Sequence, residues 1–319
     1  MKLDLKDRKI LAELEMNARA PHSEIAKKVR LSKQVVKYRI DHLEKDELIQ
    51  GYNALIDLNK LGQTIYVIYL KLIKMSSAQE SKWLEELNNI LGVLAAGRNS
   101  GYWDLTIAIS CKNNQELDVL YNQLIRGKAE HIKEKLITSE VESTYFNTDI
   151  LLKGTKTEFS TSKIQEQLKI DEKDQKLINE LAKDCRKSLL ELGDKLKLSP
   201  NGVKDKIRRL EEKKIIIGYK TKINYEKLEY LHFRVFLHLA KFTPQLYDSV
   251  KGFLKTRGNI ESISHYLGYA DVDFRCYCKG IVELYNLTTS LKDAFLNEII
   301  EIDSMPIFSW KKIRYASRT

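Results

Sequence analysis

Gln34 and Asn201 are the two side chains best placed by type and position to read the edge of a base, since a carboxamide donates and accepts at once and can pair bidentately with adenine. They occupy the same place in two related segments, LSKQVVKYRIDHLE from Leu31 and LSPNGVKDKIRRLE from Leu198. Each segment carries an apolar triplet at i, i+4 and i+7: Val36, Ile40 and Leu43 in the first, Val203, Ile207 and Leu210 in the second. That spacing puts the triplet on one helical face. Projected at about 100° per residue, Gln34, Tyr38 and Asp41 then point outward, flanked by Lys37, and their counterparts Asn201, Asp205 and Arg208 by Lys204. Ser32 and Ser199 are suited to cap the two helices, with Lys33 or Pro200 at the first helical position. A helix of this size, braced by a preceding helix across a short turn, fits the major groove of DNA. The buried residues are shared and the exposed ones differ, as expected of two readers on one scaffold. The alternative is that both are solvated faces of ordinary helices.

The elements that must position these helices repeat as well. Offsetting the sequence by 167 residues aligns Asp4–Ile56 with Asp171–Ile223 at 20 identities in 53 positions without a gap. The offset continues through Gly101-Tyr102-Trp103-Asp104 and Gly268-Tyr269-Ala270-Asp271. The sequence is an internal duplication. In each copy three short amphipathic helices precede an apolar run with an embedded Gly-Tyr, LIQGYNALID or IIIGYKTKIN, which predicts a small hairpin. A βαββαβ order follows, the ferredoxin-like arrangement of an antiparallel sheet with helices on one face. The stretch KGTKTEFSTSKIQEQL from Lys153 is polar and reads as a linker.

With 319 residues, 43% hydrophobic and 31% charged, the chain is expected to fold throughout. No apolar run reaches the ~18 residues of a membrane span, and the charged N-terminus lacks a signal-peptide core, so a cytoplasmic protein is expected. Cys111, Cys185, Cys276 and Cys278 show no metal-ligand spacing, and neither metal nor cofactor is expected. The net charge of +10 favours a polyanionic partner. It is uneven: Met1–Asp57 carries 12 Lys and Arg against 10 Asp and Glu, whereas Lys169–Asn224 carries 16 against 10. The second head is therefore expected to make the stronger phosphate contacts, through Lys204, Lys206, Arg208 and Arg209. A basic tail, Lys311, Lys312, Arg314 and Arg318, adds further charge. Gly202 costs its helix roughly 1 kcal/mol relative to Ala, so that helix is expected to need DNA to order fully.

Through LDLKDRKILAELEMNARAPHSEIAKKVRLSKQVVKYRIDHLEKDELIQGY, its second version from Lys169, and the GYWD and GYAD turns, the chain resembles two fused members of the leucine-responsive and asparagine-related (Lrp/AsnC) regulators. The resemblance implies an α+β fold in which a winged helix-turn-helix precedes a ferredoxin-like regulation domain, twice. Its parts would be 1–57 and 58–152, a linker at 153–168, then 169–224 and 225–319. It implies a transcriptional regulator of double-stranded DNA, and an amino-acid effector bordered by Gly101 and Asp104, and by Gly268 and Asp271. The alternative is that these glycines close hairpins and the acids sit in water. Single-copy family members dimerise, so the two copies here would form an internal pseudo-dimer, with further homo-oligomerisation left open.

Two other functions fit the same architecture. Siroheme decarboxylases share it and use His and Arg on the sheet; Arg98 and His265 hold equivalent sheet positions here, although the dense His, Arg and Trp pattern is missing. An architectural nucleoid protein would bind DNA with little sequence preference. No P-loop, G-x-S-x-G, H-E-x-x-H or dinucleotide fingerprint is present, and the chain is expected not to be an enzyme.

Overall fold

The computed structural model describes residues 2–87, 89–154, 157–163 and 167–311; the basic tail beyond 311 lies outside them. The first head holds α1 (Leu5–Met16), α2 (His22–Val29), α3 (Lys33–Lys45) and strand β1 (Ile49–Ile56). Its sheet domain follows as β2 (Thr64–Leu72), α4 (Ser77–Leu87), β3 (Val93–Asn99), β4 (Leu105–Cys111), α5 (Asn114–Leu124) and β5 (Ile132–Phe146). A short strand β6 (Glu158–Ser160) lies between the copies. The second copy repeats the plan with α6 (Glu172–Lys183), α7 (Leu189–Leu196), α8 (Pro200–Glu212) and β7 (Ile216–Ile223). Its sheet domain is β8 (Leu231–Leu239), α9 (Pro244–Lys255), β9 (Ile260–Leu267), β10 (Val272–Cys278), α10 (Ile281–Ala294) and β11 (Ile299–Lys311).

The Gly-Tyr runs do not form hairpins. Each is one strand, and β1 pairs antiparallel with β7 of the other copy, Tyr52 opposite Thr221 and Ala54 opposite Tyr219. Gly51, at φ +153°, accommodates a bulge in the ladder rather than a chain reversal. The heads are clamped reciprocally: Arg19 donates to the Cys185 carbonyl and Arg186 to the Ala18 carbonyl at 2.8 Å. The backbone matches this, with Ala18 N–H on the Tyr219 carbonyl at 3.1 Å and Cys185 N–H on that of Tyr52 at 2.9 Å. Both heads consequently share one hydrophobic core, containing Leu14, Ile40 and Tyr52 together with Leu181, Ile207 and Tyr219.

The sheet domains also join within the chain. The order β2-β4-β3-β11-β8-β10-β9-β5, with β5 returning to β2, closes a ring of eight strands, and β6 adds to β5. Closure comes from the last strand of each copy. The first half of β5 pairs with β2 of its own copy and its second half with β9 of the other; β11 likewise leaves β8 for β3. Helices cover each half from outside over separate cores, one with Trp83, Leu84 and Leu120, the other with Tyr247, Val250 and Leu287. The described stretch 157–163 of the connecting segment is docked rather than free. Ser162 N–H donates to Asp57 at 2.7 Å, Asn59 to the Ser162 carbonyl at 2.6 Å, and Phe159 lies so close to Gly218 that a Cβ there would come within 2.4 Å of it.

Candidate nucleic-acid interface and central cavity

Helices α3 and α8 are assembled alike. Ser32 accepts from Val35 N–H and Ser199 from Gly202 N–H, at 3.2 and 3.1 Å. The inward triplets are buried, whereas Ser32, Lys33, Gln34, Lys37, Tyr38 and Asp41 are exposed, as are Ser199, Asn201, Lys204, Asp205, Arg208 and Arg209. Helix α8 is continuous through Gly202, so its cap, Pro200 at its start and its buried triplet suffice to order it; the expectation that it waits for DNA is corrected.

Several charges have partners that sequence spacing did not reveal. The first helix of each head begins with a capping box, Asp4 with Asp7 and Asp171 with Asp174. These acids also hold the recognition helix: Arg39 reaches Asp4 and Asp7 at 2.7 Å, and Lys206 reaches Asp171 and Asp174 at 2.7 and 2.8 Å. Arg209 is bound to Asp174 at 2.7 Å. Lys206 and Arg209 thus brace the second head against its first helix, whereas Lys204 and Arg208 project from it. Among the described residues Lys37 pairs with Asp41 one turn on, and Arg208 with Asp205 and Glu212, all highly exposed pairs that contribute little and are easily exchanged for phosphate.

The two glycine turns lie at the end of the ring remote from the heads, with Gly101 at φ +113° and Gly268 at +134°, where L side chains are strained. Asp104 accepts from Leu72 N–H at 2.7 Å and from Lys71 at 3.1 Å; Asp271 accepts from Leu239 N–H at 2.8 Å. Both acids therefore tie off the end of a neighbouring strand. Trp103 and Ala270 point into the ring beside Tyr69 and Phe236.

Between the heads and the near end of the ring lies a cavity of about 860 Å³. Strands β1 and β7 contribute Asn53, Leu55, Lys220 and Lys222; the ring contributes Ile65, Val67, Leu94 and Ala108 from the first copy and His232, Arg234, Glu261 and Arg275 from the second. Arg234 is bonded to Asp273 and Tyr266. Burial works against the Glu261 carboxylate, but Arg275 and His232 outweigh it and hold its pKa well below the usual range. Burial pushes the Glu15 and Glu140 carboxyls up and the Lys220 ammonium down. Sequence inspection missed this wall. The available signal was in the duplication itself, which puts Ile65, Val67, Leu94 and Ala108 of one copy opposite four ionisable residues of the other. Arg98 and His265 do not reach the cavity: Arg98 is held by Glu80 at 2.6 Å beside α4, and His265 stacks on Phe242 at 3.9 Å. Elsewhere, ligand atoms of His238, Glu301 and Asp303 lie within 4.8 Å of one another, with Asp303 already hydrogen-bonded to His238 and Tyr269.

The AsnC-type helix-turn-helix domain matches twice, at residues 3–44 and 170–211, spanning all three helices of each head. The chain belongs to the Lrp/AsnC family. It is a tandem member, and its relatives match about one copy each. An uncharacterized HTH-type transcriptional regulator of Pyrococcus furiosus is 29% identical over 140 residues, 42% of this chain and 90% of the relative. The HTH-type transcriptional regulator LrpA1 of Halobacterium salinarum is 34% identical over 91 residues, 28% of this chain and 64% of the relative. Over its full length this Lrp/AsnC protein superposes on the siroheme decarboxylase NirDL with a TM-score of 0.63, covering 98% of this chain and 94% of that one. At 12% identity the likeness is one of fold alone.

Proposed function

We propose that this tandem Lrp/AsnC protein is a transcriptional regulator that reads double-stranded DNA with two non-identical heads. The observation that carries the reading is the pair of matched helices, each exposing one carboxamide and a flanking lysine, Gln34 with Lys37 and Asn201 with Lys204, on heads clamped by a shared strand ladder. Rigid clamping fixes the separation of the helices, so the operator is an imperfect palindrome whose half-sites lie about one helical turn, or a multiple of it, apart. The protein acts in the cytoplasm. An amino-acid effector at Gly101 and Asp104, or at Gly268 and Asp271, would compete with the strand amides that those acids now hold. Site selection from random duplexes followed by footprinting tests the reading. A focal site preferred by about 10³-fold or more supports it, and uniform affinity with a steep salt slope identifies a nucleoid protein instead.

The proposed role includes no chemical step. The full-length superposition on a siroheme decarboxylase favours one other reading, in which the central cavity holds a tetrapyrrole. Incubation with siroheme under reducing and non-reducing conditions decides it: loss of carboxylate mass from the tetrapyrrole would make the chain an enzyme.

A further inference from the structure

The central cavity is chemically two-sided, and the division follows the duplication. One wall is apolar, built from Ile65, Val67, Leu94, Ala95 and Ala108 of the first copy, joined by Ile307 of the second. The opposite wall is ionisable, and two of its cations keep donors in reserve. Arg275 donates through Nε to Ser262 at 2.9 Å and stands 3.5 Å from Glu261, while its terminal amino groups make no hydrogen bond among the described residues. Lys220 makes one hydrogen bond there, to the Phe146 carbonyl at 3.3 Å, which leaves two of its three protons unclaimed. Glu15, only 2% exposed, has one oxygen held by Thr148 and Tyr225 and the other without a partner.

Arg275, its side chain 22% exposed, and the half-buried Lys220 thus turn donors without protein acceptors toward the cavity, where an occupant that supplies acceptors can take them from water. Guanidinium pairs bidentately with a carboxylate, and an ammonium nearby adds a charge-assisted bond. We propose that the cavity binds an organic acid with a bulky apolar body, its carboxylate on Arg275 and Lys220 and its body against the first-copy wall. Burial favours the neutral acid of Glu15, whose unpartnered oxygen can then donate to the same ligand. The cavity far exceeds what a free amino acid fills and falls within the ~300–1,000 Å³ of pockets for larger organic ligands. The site lies at the head-side end of the ring, away from the glycine turns, and its identification does not depend on DNA binding.

The test compares 1-pyrenebutyrate with its neutral analogue 1-pyrenebutanol, using pyrene fluorescence on the full chain. One acid is expected to bind per chain, roughly tenfold or more tighter than the alcohol. Arg275→Met should remove that preference and leave the alcohol's affinity unchanged. Lys220→Asn, which installs the residue found at the equivalent position of the first copy, should reduce it severalfold and serves if Arg275→Met does not fold. Ala108→Trp, on the apolar wall, should weaken both probes alike. Equal affinity for acid and alcohol, binding of neither, or an acid preference untouched in the folded variants would overturn the proposal.

Discussion

The two heads agree inside and differ outside, whereas the two halves of the strand ring agree outside and differ inside. In the heads, Val36, Ile40 and Leu43 recur as Val203, Ile207 and Leu210, while Tyr38 and Asp41 become Asp205 and Arg208. In the ring, the helix-covered cores remain apolar on both sides, but Val67 and Ala108 become Arg234 and Arg275 where the strands face the cavity. Positions that only pack against the same copy have kept their chemistry. Positions that face something else, a groove outside or a cavity within, have diverged. A duplication inside one chain permits this because each half can change without changing the other, which a homodimer cannot do.

The largest contrast concerns how each head holds its recognition helix. Asp174 is 4% exposed and pairs with two cations, Lys206 and Arg209, whereas Asp7 is 19% exposed and pairs with one among the described residues, Arg39. Removing Asp174 takes the close partner from Arg209 and leaves Lys206 with the more exposed Asp171, whereas removing Asp7 leaves Arg39 with Asp4, so Asp174→Ala should cost about 2–3 kcal/mol and Asp7→Ala about half as much, measured by urea unfolding. Equal losses would mean that the second head is not the more firmly braced.

Binding should break the symmetry next. Gln34→Ala with Lys37→Ala should weaken specific binding about 10- to 100-fold and erase one half-site from a footprint; Asn201→Ala with Lys204→Ala should erase the other. Arg208→Ala should weaken all sequences severalfold and lower the salt slope by about one. Arg209→Ala should act mainly on stability, because its guanidinium holds Asp174. Two double variants that damage the same half-site would show that the heads do not divide the operator.

Acid sensitivity offers a smaller contrast. Glu180 bonds Lys187 and Lys195 at 2.6 Å and stands 3.4 Å from Lys183, whereas its counterpart Glu13 pairs with one cation among the described residues, Lys28 at 2.8 Å. Burial disfavours the charge of Glu180, yet the bonds to Lys187 and Lys195 outweigh it and bring its pKa from 4.5 down to about 2. A carboxyl whose folded pKa lies below its unfolded value stabilises the fold fully above the unfolded pKa, and that contribution is lost as the pH falls from 4.5 toward 2. Glu180→Gln should remove on the order of 1 kcal/mol at neutral pH and flatten the acid limb of a thermal-melt profile. Glu13→Gln should change the profile less.

What the sequence disclosed follows from how far apart the interacting residues are. Ser32 and Ser199 act on amides three residues away, and the helical triplets recur within eight, so caps and buried faces were legible. The βαββαβ order was also legible, because each strand and helix carries its own period. The partner of Tyr52-bearing β1 lies 167 residues downstream, and no local pattern distinguishes a hairpin arm from a strand waiting for a distant copy. The contact between Arg209 and Asp174 was hidden for a related reason. The exposed position of Arg209 on α8 was evident, but the Asp174 that claims it is 35 residues back, on a helix whose crossing angle the spacing does not specify. Ring closure depends on β5 and β11 each changing partner midway, which alternation of apolar residues does not encode.

The smallest change that tests the contrast is a single methyl group. Gly202 stands where the first copy has Val35, in the first turn of α8, with its N–H on Ser199. A Cβ there would meet Ser199 Oγ at 3.4 Å and Leu198 Cβ at 3.8 Å, ordinary contacts that need no rearrangement. Gly202→Ala should therefore raise the free energy of urea unfolding by about 0.5–1 kcal/mol, since alanine surrenders less chain entropy in a helix. A glycine retained at such a cost, three residues from Ser199 and beside Asn201, is accounted for if the backbone of α8 approaches its partner more closely than that of α3 does. The same substitution should then weaken binding at the second half-site severalfold while the protein becomes more stable. If stability rises and affinity is unchanged, the two helices seat alike, and the heads differ only in the side chains they carry.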